Sequence, residues 1–124
     1  MIKILGLIKR LPQLSFAEFD EHWRLRHGPL IRSYAETLRI KRYIQTPMMQ
    51  DESLQERIRS SRGALEVPFD GLAELWCDSV EDMLAARATE DGIAALRAIV
   101  EDERRFIDLS HSQFWYGAER PYIA

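Results

Sequence analysis

The stretch His22-Trp23-Arg24-Leu25-Arg26-His27-Gly28-Pro29-Leu30 constrains this chain more than any other, because it carries an apolar helical stripe straight into a Gly-Pro pair. Proline lacks an N–H, fixes φ and restricts the residue before it. Gly28-Pro29 is therefore predicted to stop one helix and Pro29 to open another. Upstream, Ser15-Phe16-Ala17-Glu18 forms a capping box, with Leu14 and Phe19 placed as a hydrophobic staple. Phe16, Phe19, Trp23 and His27 recur at spacings of three and four, so one helix face packs inward and His27 ends its stripe at a chain corner.

The remaining pattern supplies four strands and a second helical block. Residues 2–9 are an apolar, β-branched run, and 39–46 alternate before Pro47. Gly71 to Cys77 is a third strand and Ser110 to Tyr116 a fourth. A short helical segment carries Leu30, Ile31, Tyr34, Ala35 and Leu38, while Ser79-Val80-Glu81-Asp82 starts a helix running to about Phe106 with an interruption at Asp91-Gly92. Residues 48–68 are a polar surface excursion with a short helix over 51–62. The order β-α-β-β-α-β predicts a ferredoxin-like α+β fold with a four-stranded antiparallel sheet, in one domain spanning 1–124.

Composition narrows the function classes. At 124 residues, 46% of them hydrophobic, the chain suffices for one core. A net charge of -3, with Lys and Arg spread along the chain, argues against a nucleic-acid partner. The sole cysteine, Cys77, excludes an internal disulfide and a cysteine zinc site and fits a cytoplasmic setting. The first ten residues are too short, and too charged at both ends, for a signal peptide or a membrane span.

Strand alternation divides the sheet into two faces. One phase, with Ile2, Ile4, Ile8, Ile40, Ile44, Ala73, Leu75, Cys77, Phe114 and Tyr116, suits packing under helices. The other carries Leu5, Leu7, Lys41, Tyr43, Gln45, Leu72, Glu74, Trp76, His111, Gln113 and Trp115. That mixture is too apolar for a face in water and too polar for a dry core, so it predicts a homodimer in which two sheets enclose a lumen for a small hydrophobic ligand.

The Ile2-Lys3-Ile4 strand, Ser15 to Phe19, Trp23 with Arg26 to Leu30, Arg42 to Gln45 and Phe69 to Trp76, taken in order, resemble an EthD-domain protein from about residue 2 to 119. The resemblance implies a dimeric α+β barrel, a superfamily that also holds small monooxygenases, muconolactone isomerases and polyketide cyclases. Oxygenase, lyase or isomerase chemistry in catabolic or polyketide-tailoring pathways would follow from it.

The candidate chemistry rests on His27, with Glu74 and Tyr43 as catalytic partners. A histidine titrating near neutrality can take and return a proton, and a carboxylate can orient it. The alternative for His27 is a helix-end cap on free carbonyls, and for Glu74 an ion pair to Lys41 or Arg42. His22 lies beside the stripe and is read as solvated or flank-packing. Trp76, His111, Gln113, Trp115, Leu5 and Leu7 are expected to contact substrate. There is no His-x-x-x-His or Glu-x-x-His pair and no Gly-rich phosphate loop, so no metal and no cofactor are expected. Such chemistry requires a substrate with its own electron sink, such as a phenol, anthrone, lactone or β-keto compound. The competing reading is a non-catalytic ligand-binding or accessory protein of a degradation pathway.

Overall fold

In the computed structural model, which describes residues 1–124, helix α1 (Phe16–His22) starts as its sequence dictates. Ser15 Oγ accepts the Glu18 N–H at 3.1 Å, and the Glu18 carboxylate accepts the Ser15 N–H at 2.9 Å. The helix does not break at Gly28-Pro29. It widens into a π turn over Trp23–His27, where the Gly28 N–H reaches the Trp23 carbonyl, and continues as α2 (Gly28–Ser33). Gly28 allows this, because it has no Cβ to clash with the proline ring in the helical region. The backbone then turns through Arg39, at φ 53°, into the sheet.

Strands β1 (Ile2–Ile8), β2 (Arg42–Pro47), β3 (Gly71–Cys77) and β4 (Gln113–Ala118) form one antiparallel sheet in the order β2-β3-β1-β4. This is the predicted ferredoxin-like α+β plan. Ile4 pairs with both Leu75 and Tyr116, and Gly6 with Ala73 and Phe114, which places these residues on the helix-covered face. Tyr43 pairs with Leu75 and Gln45 with Ala73, so both belong to that face too, while Ile44 lies on the open side opposite Glu74. The phase expected for β2 is thus corrected. Gln45 can be turned inward because its amide donates to the Trp23 carbonyl at 2.9 Å, which offsets its burial.

The last strand also starts later than expected. Leu109–His111 form a 3₁₀ turn, which removes His111 from the sheet. Helix α3 (Glu52–Ser60), capped by Asp51, buries none of its residues and occupies the predicted polar excursion. Ser79 caps α4 (Val80–Ala88) as expected. The break between the next two helices falls at Thr89, whose hydroxyl accepts the Gly92 N–H at 2.9 Å, so Gly92 lies in the first turn of α5 (Glu90–Glu103).

The core sits between sheet and helices in two adjoining groups. Ile8, Phe19, Trp23, Phe106 and Ile107 form one, and Ile31, Leu38, Ala95 and Ile99 the other. Burial of each large side chain stabilises by about 2 kcal/mol. No helix is long and apolar enough to cross a membrane.

Candidate functional site

A cavity of about 320 Å³ lies between the helices and the covered face of the sheet, walled by Ile4, Ala73, Leu75, Leu96, Phe114 and other apolar side chains. Its polar lining is His27, Tyr43, Glu103 and Arg87. The π turn carries His27 inward, where it is 3% exposed. Its Nδ1 lies 2.8 Å from Asp102 Oδ2, and its Nε2 lies 3.8 Å from Glu103 Oε2. The second distance is too long for a direct hydrogen bond.

Asp102 serves several donors. Its Oδ1 stands 3.0 Å from His22 Nε2 and accepts from Arg105 at 3.2 Å. Burial works against its ionisation, but the hydrogen bonds from His27, His22 and Arg105 outweigh that cost and hold its carboxyl below the usual range. Burial lowers the His27 pKa, although the Asp102 hydrogen bond and charge oppose the shift. Glu103 has no comparable donor. Burial, with the Asp102 charge beside it, pushes its pKa up to about 7. Burial also raises the Tyr43 phenol, whose oxygen accepts from Gln45 Nε2 at 3.1 Å.

Of the residues singled out from sequence, His27 and Tyr43 meet at this cavity. Glu74, Trp76, Leu5, Leu7, Gln113 and Trp115 lie on the opposite, open side of the sheet. Glu74 is paired at 2.6 Å with Lys3, rather than with Lys41 or Arg42. The Trp76 ring is covered by Lys3 and Arg42, each 5.0 Å from its centroid. His111 is exposed on its 3₁₀ turn and bonds Asp108 at 2.8 Å.

Sequence reasoning passed over Asp102 and Glu103 and read His22 as solvated or flank-packing. His22 packs flat on Phe106, with ring centroids 4.6 Å apart, while bonding Asp102. A signal for the acids existed. Asp102 continues the buried stripe Ala95-Ile99 at helical spacing, and Glu103 continues Leu96-Val100, so both carboxylates fall on the face that should have been apolar. No set of three His, Cys, Asp or Glu side chains is arranged to hold a metal ion.

The EthD domain family matches this chain over residues 11–110. Among solved structures, the fold is similar to an EthD family protein from Bacillus halodurans, with 20% identity over 97% of this chain and 99% of that one and a TM-score of 0.63. It is also similar to a putative antibiotic biosynthesis monooxygenase from Deinococcus radiodurans, with 13% identity, coverage of 100% and 97%, and a TM-score of 0.54. A dimeric ferredoxin-like protein from Thermobifida fusca gives 10% identity, coverage of 95% and 90%, and a TM-score of 0.50. No curated protein matches the chain.

Proposed function

The chain belongs to the EthD domain family, and from that premise we propose that it performs acid–base catalysis on a small apolar carbonyl or phenolic compound in the cavity beneath its helices. One observation carries this reading: a buried imidazole held by a carboxylate on one nitrogen presents the other to an apolar cavity. With Asp102 accepting the Nδ1 proton, the Nε2 lone pair of His27 is free to take an acidic C–H or O–H proton from substrate. Tyr43 accepts from Gln45, so its own proton can be donated to the oxygen on which charge develops. Glu103, protonated below about pH 7, can return a proton at a second position.

This step uses side chains alone, with the substrate's carbonyl or ring as electron sink. Oxygenase-type chemistry would begin with the same deprotonation, the substrate anion then giving electrons to dioxygen. A homodimer closed over the open face, which carries Leu5, Leu7, Ile44 and Trp115, belongs to the same proposal. The Thermobifida fusca protein, described as dimeric, supports it.

The test is solvent deuterium exchange into a panel of β-diketones, phenols and lactones under nitrogen, with retained ligand followed by native mass spectrometry. Exchange by the wild type that is lost in His27→Ala and His27→Gln, with ligand still bound, is the expected result. Retention of ligand without exchange by the wild type overturns catalysis and leaves a ligand carrier.

A further inference from the structure

We infer that the substrate carries an oxyanion handle, a carboxylate or phosphate, bound in a basic groove at the mouth of the cavity; the inference rests on the cavity being the reaction site. The groove, about 500 Å³, runs between α2 and the edge strand β2. Arg24, Arg32, Lys41 and Arg42 line it and no acidic residue does, in a chain whose net charge is -3.

These cations are largely uncommitted. Arg24 and Arg32 are exposed and have neither a carboxylate within 4.0 Å nor a side-chain hydrogen bond, because none of the ion pairs or bonds of the fold involves them. Lys41 is 3.7 Å from Asp78, both being about half exposed, a geometry that water screens readily. Arg42 rests on Trp76. Two guanidiniums free of partners offer fork-shaped donors matched to a planar or tetrahedral oxyanion.

The groove and the cavity share Ile31, Ile40 and Tyr43, so Tyr43 stands in the wall between them. A single ligand can place its apolar reacting end beside His27 and its anion among Arg24 and Arg32. A neutral analogue would fill the cavity and leave the groove to water, which makes charge a determinant of specificity separate from the proton chemistry.

A matched pair of fluorescent probes tests this: 1-anilinonaphthalene-8-sulfonate and its uncharged counterpart N-phenyl-1-naphthylamine. The wild type should bind the sulfonate about tenfold more tightly at low salt, and 0.5 M NaCl should narrow the difference. Arg24→Gln/Arg32→Gln should abolish the preference while leaving the neutral probe unchanged, and Arg32→Glu should reverse it. Displacement by benzoate or by phenyl phosphate then separates a carboxylate handle from a phosphate one. Equal affinity for both probes, or a preference that survives both variants, overturns the groove and leaves the His27 reading intact. Binding of neither probe overturns the cavity on which both rest.

Discussion

His27 Nδ1 and Asp102 Oδ2 meet at 2.8 Å across 75 residues of chain, tying the π turn of the first helical layer to the last turn of α5. The contact orients the imidazole and also closes the helical layer over the cavity. Structure and the proposed chemistry therefore depend on one carboxylate.

Asp102→Asn keeps the shape but exchanges two acceptor oxygens for one acceptor and one donor, so one of the two imidazoles must face an N–H. Urea unfolding should show a loss of about 3 kcal/mol. Proton exchange should fall about 100-fold or more even where the variant is folded. Glu101→Gln, one residue away and exposed, should stay within about 0.5 kcal/mol of the wild type.

Glu103 gives stability a basic-side limit. Its folded pKa is raised from 4.5 to about 7, so the folded state holds a proton that the unfolded state releases. Its contribution is complete below pH 4.5 and is lost as pH rises through 7. Glu103→Gln should be more stable than the wild type at pH 8 by about 3 kcal/mol and indistinguishable at pH 4, as read from chemical denaturation at the two pH values. His27 acts with the opposite sign. Its folded pKa is lowered, so acid costs stability from about pH 6.5 downward as the unfolded chain takes up the proton first.

Gly71 marks the closest approach of sheet and helix. A Cβ there would lie 2.7 Å from the Trp23 ring, which is 1% exposed. Gly71→Ala should cost about 2 kcal/mol by overpacking, lowering the thermal midpoint by about 8 °C.

Features set by local chemistry were legible in the sequence. Ser15 with Glu18 and the Ser79 cap needed only near neighbours to be recognised, and the element order β-α-β-β-α-β followed from local patterns along the chain. The phase of β2 was not, because alternation assumes that the apolar residue faces inward. Here Gln45 finds the Trp23 carbonyl and Tyr43 finds Gln45, while Ile44 stays on the open side. His27 stood out through its stripe. Asp102 was harder to see because His22 and His27 lie 80 and 75 residues away, and only its place after Ala95 and Ile99 on a buried face hinted at a partner.

Trp115 tests the proposed homodimer. It is 54% exposed on the open face, so Trp115→Glu should leave the unfolding free energy of the isolated chain within about 0.5 kcal/mol. If a second copy covers that face, a buried charge should drive the variant to a monomer in sedimentation velocity. Unchanged sedimentation of a dimeric wild type would move the interface elsewhere.

Phe19, Trp23, His27 and Ile31 are all buried, and they follow one another at intervals of four. An α-helix turns once in 3.6 residues, so such a series would drift by about 40° at each step and swing its far end out to solvent. The wider π turn absorbs that drift midway, acting as an angular correction between the two halves of the helix. Excising a single residue from Trp23–His27 would restore regular winding at the expense of alignment: with Phe19 and Trp23 anchored, His27 would rotate off the axis shared by Asp102 and the cavity. The irregular turn is thus what allows one helix to serve a hydrophobic anchor at its start and an imidazole at its centre.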